Sequence, residues 1–221
     1  LLKNGARQVL AIDKDSTTKV FLKIIQNEFG DTIKFYNQSF ADMEKNNDIA
    51  KRDDIEGVVL DLGVSSMHLD NPLRGFSFRE NGPLDMRMGD QSGPTAAEII
   101  NLCSEATLAD LIFFYGQERK ARKIANRIVK ERKKKEINTT LELAEIIRAI
   151  VPKNFKKDPA KRTFQAIRIA VNNELRDLSK ALMFSEKIVR KGGTIAVITF
   201  HSLEDKIVKD FGKIMSGKAA S

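Results

Sequence analysis

Residues 57–89, GVVLDLGVSSMHLDNPLRGFSFRENGPLDMRMG, decide how the chain is read. Val58-Val59-Leu60 is a short apolar run of the length and β-branched character of a buried parallel strand. It breaks at Asp61 into a loop carrying Gly63, Ser65, Ser66, His68, Asn71, Arg74, Asp85 and Arg87. Open α/β sheets hold their ligands at the carboxyl ends of strands, so an acid there, followed by a long polar loop, marks a binding site. A loop of this length inside a compact domain is uncommon unless functional. In RGFSF, Phe76 and Phe78 flank a serine, interleaving apolar anchors with charge. By pattern alone the segment also reads as a surface loop with two half-buried phenylalanines.

Upstream, residues 8–12 read as a strand ending at Asp13. Ser16 is placed to cap a helix whose Val20, Phe21, Ile24, Ile25 and Phe29 follow the 3.6-residue period. A carboxylate at that strand end is placed to accept hydrogen bonds from both ribose hydroxyls of a nucleoside. An acid at a helix start is equally a capping residue. Residues 33–36 form the next strand, followed by a 37–40 loop with Phe40 and a polar connection over 41–56.

Beyond Thr95 the pattern turns helical. Thr95 with Glu98 and Thr139 with Glu142 make capping boxes. Residues 107–115 read as a short helix ending at Gly116, and 118–135 as a basic helix with Ala121, Ile124, Ala125, Ile128 and Val129 on one face. The helix opened by Thr139 stops before Pro152. Thr163 opens one long helix with Phe164, Ile167, Val171, Leu175, Leu178 and Leu182 in a stripe, and Lys191-Gly192-Gly193 ends it. Residues 194–200 then form a buried strand. His201 falls on the same sheet edge as Asp61, with Ser202 capping the last helix. A packed hinge is the competing reading of His201.

The 221 residues suffice for one α/β domain plus an insertion. Their 42% hydrophobic content contains no long apolar stretch, which argues against a membrane span. One cysteine excludes an internal disulfide, and two histidines without a Cys/His cluster point away from a structural zinc site, so no metal is expected. The net charge of +8 is local: residues 118–136 carry ten Lys/Arg against three Glu, and 153–162 carry five against one Asp. The remainder is slightly acidic. That distribution suits a phosphate-facing patch, with a solvated helix face as the plainer alternative.

DLGVSS, RGFSF and GPLDMRM, with RTFQAIRIAVNNEL at 162–175 and FHSLEDKIVK at 200–209, resemble the RsmH (MraW) family over nearly the whole chain. The resemblance implies S-adenosylmethionine-dependent methylation of the exocyclic N4 amine of a cytidine in the decoding region of small-subunit ribosomal RNA. It implies a Rossmann-like class I methyltransferase sheet of order 3-2-1-4-5 with an inserted helical substrate-recognition domain. The expected division is 1–91 and 161–221 for the methyltransferase domain and 92–160 for the insertion. By residue, it assigns Asp13, Phe40, Asp61 and His68 to the cofactor. Arg74, Phe76, Asp85, Arg87, Arg168, Asn172, His201 and Ser202 are candidates for substrate contact, and Asp61 and Ser65 for catalysis. Asp61 orients either the cofactor or the amine, and Arg74, Asp85 and Arg87 either hold an extruded nucleotide or lock the loop.

The family's first strand and its glycine-rich turn ending in Gly-Gly-His have no match here, and its carboxy-terminal strands are missing after about Phe211. The chain therefore reads as part of a longer protein, with weak cofactor binding of its own. Its expected partner is small-subunit ribosomal RNA or the assembling subunit, in the cytoplasm of a bacterium or an organelle of a eukaryote. Oligomeric state is open, a dimer included. The competing functions are a non-catalytic RNA-binding module on the same fold and, weakest, a nucleotide-dependent oxidoreductase suggested by Asp13.

Overall fold

The computed structural model describes residues 1–89, 92–151 and 158–218. In chain order the elements are β1 (Val9–Ile12), α1 (Lys19–Phe29), β2 (Ile33–Tyr36), α2 (Asn47–Ala50), β3 (Ile55–Asp61) and α3 (Ser66–Asp70). Then come α4 (Ala96–Leu102), α5 (Glu105–Gly116), α6 (Ala121–Arg132), α7 (Thr140–Arg148) and α8 (Ala160–Asn172). The order ends with α9 (Glu174–Ile188), β4 (Val189–Ile198) and α10 (Ser202–Met215). They divide into two compact units: residues 1–62, 88–90 and 175–221 form the first, and 63–87 with 91–174 the second.

In the first unit the strands make two parallel pairs, β1 with β2 and β3 with β4, where the sequence suggests one sheet. Among the described residues no strand joins β1 to β3. Both pairs pack on one core built from Met43, Ile49, Leu60, Leu62, Leu178, Leu182, Phe184 and Ile188, with Leu10, Ile12, Tyr36 and Phe40 against it. Each such leucine or isoleucine contributes about 1.5–3 kcal/mol by leaving water. The β3 strand buries one face where its run of valines suggests two. Val58, Leu60 and Leu62 meet the core, while Val59 on the alternate face is 53% exposed. The apolar stripe of α1 is likewise exposed at Val20, Phe21, Ile24 and Ile25, so its periodicity marks a helix without marking a buried face.

Several boundaries move for local reasons. Asp15, not Ser16, caps the turn before α1: its carboxylate accepts from the Thr17 amide at 2.9 Å. The polar 41–56 connection hides buried Met43 and Ile49. The single long helix from Thr163 is two helices. Asn173 takes the left-handed conformation at φ 52 and breaks the hydrogen-bond ladder between α8 and α9, a conformation asparagine tolerates better than most residues. The second of these helices ends at Ile188 because 189–193 join β4 as an irregular extension, with Ile55 opposite Val189 and Gly57 opposite Thr194.

The second unit is helical. Ile100, Leu108, Ile112, Ile124, Ile128, Leu143, Ile147 and Ile167 are fully buried in it. Both capping boxes form as the sequence suggests, Thr95 with Glu98 and Thr139 with Glu142. The 63–87 loop belongs to this unit and is pinned to it. The Leu84 amide donates to Asn138 O at 3.0 Å, the Thr140 amide to Gly82 O at 2.9 Å, and Phe78 meets Phe164 edge-on at 5.0 Å. Pro152 and residues 153–157 of the second basic segment lie outside the described residues. No helix among the described residues is long and apolar enough to cross a membrane.

Candidate active site

Asp13 follows β1 directly. Its amide continues the ladder to Tyr36 O at 3.2 Å, its Oδ1 accepts the Asp15 amide at 2.8 Å, and its carbonyl accepts Asn37 Nδ2 at 2.9 Å. The carboxylate is thereby held at the carboxyl end of a parallel strand. Phe40 follows β2 on the core's edge, preceded by Ser39, whose hydroxyl accepts the Ala41 amide at 3.2 Å and donates to Asp177 Oδ2 at 3.4 Å. Burial pushes the Asp177 carboxyl up, against the pull of Lys14 and Ser39. Nothing in the helical stripe of α9 singles out Asp177; only the fold brings it to the Ser39–Phe40 corner.

Asp61 is the last residue of β3, opposite Ile198, and is solvent-exposed. His201 follows β4 and is itself the cap of α10, the role expected of Ser202. Its Nδ1 accepts the Glu204 amide at 3.3 Å, and buried Glu204 returns a carboxylate to the Phe200 and His201 amides at 2.8 and 3.2 Å. The ring is thus tied into the helix start, and Ser202 lies exposed in the first turn. Asp13, Phe40, Asp61, His201 and Ser202 all belong to the first unit.

Ser65, His68, Arg74, Phe76, Asp85, Arg87, Arg168 and Asn172 belong to the second. Ser65 caps α3 together with His68, whose Nδ1 lies 3.1 Å from both the amide and the hydroxyl of Ser65. The His68 ring is buried against Phe76 at 4.9 Å between centroids. The Arg74 guanidinium lies over Phe76, 5.9 Å from its centroid, and donates to Arg87 O at 3.1 Å. Arg87 grips Asp85 through Nε at 2.8 Å and Nη2 at 2.6 Å. Those bonds hold the Asp85 carboxyl below the usual range against its partial burial. Of the two roles left open by the sequence, this fork has the geometry of a loop lock.

Asn172 donates to Met86 O at 2.7 Å and to Arg168 O at 3.0 Å. Met86 sits at φ 61 with no exposed surface, a backbone state without any sequence signal. Arg168 is paired to Glu174 by two bonds of 2.8 Å. On α6, Ala121, Ile124, Ala125 and Ile128 face inward and Arg122, Lys123, Arg127 and Lys130 outward. Arg132 is not part of that cationic face: it donates to Ile100 O and Cys103 O at 2.6 and 2.7 Å, closing the end of α4.

A mixed α/β build with carboxylates ending parallel strands is the setting in which nucleotide-type cofactors are held, and the protein is of the methyltransferase class. It belongs to the MraW methylase family, whose model matches residues 1–220. Proteins named ribosomal RNA small subunit methyltransferase H are similar throughout. The one from Paramagnetospirillum magneticum is 44% identical over 221 residues, all of this chain and 69% of that protein. Those from Methylobacterium nodulans and Ehrlichia ruminantium are 46% and 47% identical, covering 97% and 100% of this chain. The chain spans 64% and 75% of those two relatives. Membership implies a methyl donor of the S-adenosylmethionine type. Asp13, an acceptor ending a strand, and Phe40, a flat ring at the neighbouring strand's exit, fit the nucleoside half of such a donor.

Proposed function

We propose that the protein transfers a methyl group from S-adenosylmethionine to the N4 amine of a cytidine in the decoding region of small-subunit ribosomal RNA. The observation that carries this is the pair of acids, Asp13 and Asp61, each ending a strand of a parallel pair on one core. It is supported by a helical unit whose α6 turns lysines and arginines outward. The nucleotide-binding unit is read as a Rossmann-like methyltransferase domain and the helical unit as the RNA-recognition insertion. Work on ribosomal RNA places the protein in the compartment where small subunits assemble.

Asp13 and Phe40 are assigned to the donor's ribose and base, with Asp61 and His68 as further cofactor contacts. The donor supplies a methyl already activated on a sulfonium. The cytosine amine is a poor nucleophile because its lone pair is delocalised into the ring, so an acceptor that draws it toward sp³ geometry is needed more than a strong base. Exposed Asp61 is that acceptor, with the Ser65 hydroxyl as a second. With the donor bound, Asp61 would take the proton that the amine loses as its nitrogen gains the methyl and the sulfur–methyl bond breaks, and would release that proton to solvent. Arg74, Phe76, Asp85, Arg87, Arg168 and Asn172 shape a rigid wall for the nucleotide, and His201 with Ser202 fix the α10 start beyond β4. Extruding a base costs a few kcal/mol, which phosphate contacts to α6 offset.

Incubating the complete protein with methyl-labelled donor and assembling small subunits, then digesting the RNA to nucleosides, tests the reading. Label is expected on N4-methylcytidine, about 100-fold less of it with Asp61→Asn, and RNA retention unchanged. Label on another nucleoside, or on protein, ends the proposal.

A further inference from the structure

α5 buries Leu108, Ala109, Ile112 and Gly116 and turns Asp110, Phe113 and Phe114 outward. Phe113 is 52% and Phe114 61% exposed, and their rings meet edge to face at 5.2 Å. Single exposed apolar residues are ordinary; here two contiguous phenylalanines form one small apolar patch.

Cationic side chains follow the pair in the α5–α6 connection and at the start of α6. Asn126 Nδ2 donates to Glu105 Oε1 at 3.0 Å, and Gln117 in the left-handed conformation closes α5, so α5 and α6 form an antiparallel hairpin. The first turn of α6 therefore lies beside the last turn of α5. It carries exposed Arg122 and Lys123, and the connection carries exposed Arg119. α8 approaches so closely that a Cβ on Gly116 would come 2.6 Å from Arg162 O. The Arg162 guanidinium donates to Gln117 O at 3.2 Å and lies 3.8 Å from Glu118. Glu118 is buried and capped by the Lys120 amide at 2.9 Å, and Asp110 sits a turn back from the rings.

We propose that this end of the helical unit is a stacking platform for unpaired bases of single-stranded RNA. The two rings take base faces, and Arg119, Arg122, Lys123 and Arg162 take the flanking phosphates. The inference rests on the reading of the protein as an RNA methyltransferase. A duplex offers phosphates but keeps its base faces stacked, so it satisfies only the cationic rim. A second copy of the chain would set four cations against four like charges, whereas a single strand matches both the apolar centre and the rim.

The chain has no tryptophan, so Phe114→Trp installs a lone fluorescent reporter at the patch. Titration with an unstructured oligocytidylate should quench it to saturation, and a duplex of equal length should not. Phe113→Ala with Phe114→Ala should weaken single-strand binding about 10-fold or more, with circular dichroism and duplex binding unchanged. Arg122→Gln with Lys123→Gln should weaken both and reduce the salt slope by about 1.4 for the single strand. Single-strand affinity untouched by the alanines overturns the platform, as does a dimer in sedimentation that Phe114→Asp dissolves. Should the chain methylate cytidine without binding the oligonucleotide through these rings, the platform alone falls. Should the alanines weaken binding while no N4-methylcytidine ever forms, the enzymatic reading falls and the platform stands.

Discussion

Replacing Asn172 by alanine removes the donor that holds the strained end of the 63–87 loop. Its Nδ2 donates to Met86 O at 2.7 Å and to Arg168 O at 3.0 Å. Met86 occupies φ 61, a region that costs an L side chain about 1–2 kcal/mol. Its side chain has 0% exposure, so the backbone cannot relax without unpacking it. With the amide gone, a buried carbonyl lacks that partner, at a cost of about 1–3 kcal/mol. Taking about 2 kcal/mol, and about 2–4 °C per kcal/mol for a chain of this size, the melting midpoint should fall by about 4–8 °C. Asn172→Asp separates the hydrogen bond from packing. An ionised carboxylate facing Met86 O repels it and should be worse than alanine at pH 7, whereas the protonated form regains a donor. The introduced acid then has a folded pKa raised above its unfolded value. Its contribution is full below about pH 3.9 and is lost as pH rises through the folded pKa. Calorimetry of the parent and both variants across pH measures this. An alanine variant melting within 1 °C of the parent, or an aspartate variant more stable than alanine at pH 7, would refute the reasoning.

Gly75→Ala should destabilise by about 3 kcal/mol or more, since left-handed strain adds to a clash. Gly75 is at φ 74 and its Cβ would lie 2.1 Å from Pro83 O, with no flexible side chain to yield. Gly212→Ala in α10, where the Cβ meets nothing within 4 Å, should instead stabilise by about 0.5–1 kcal/mol. Denaturant midpoints at equal slope compare the two, and similar midpoints would count against the packing described for the loop. Lys135, aided by the amides of Asn138 and Thr139, lowers the Glu142 carboxyl from 4.5 to about 2. Its folded pKa is depressed, so its contribution is present above the unfolded value and is lost as pH falls from about 4.5 through about 2. Stability of the parent should drop more steeply over that window than that of Glu142→Gln; parallel curves would contradict it.

Local signals served well where the physics is local. The two Thr–Glu boxes, the inward face of α6 and the strands ending at Asp13 and Asp61 are set by spacing of three or four residues or by a run of β-branched side chains. The long stripe from Phe164 to Leu182 misled because a single left-handed residue, Asn173, leaves the periodicity almost intact while breaking the helix. Ser16 and Ser202 look like caps, yet Asp15 and His201 hold those positions because the strand exits set where each helix can begin. Charge counting over 118–136 could not tell Arg132, spent on the carbonyls of α4, from Arg122 and Lys123 on the surface.

By itself the sequence determined the family, the acids at the strand exits and the helices with their caps, because each is written in a few neighbouring residues. Tertiary structure alone decided that the four strands pair two by two and that the 63–87 loop packs with the helical unit. It alone brought Asp177 to Ser39 and left Phe113 and Phe114 uncovered. Those outcomes depend on contacts between residues tens of positions apart, which no local period or propensity encodes.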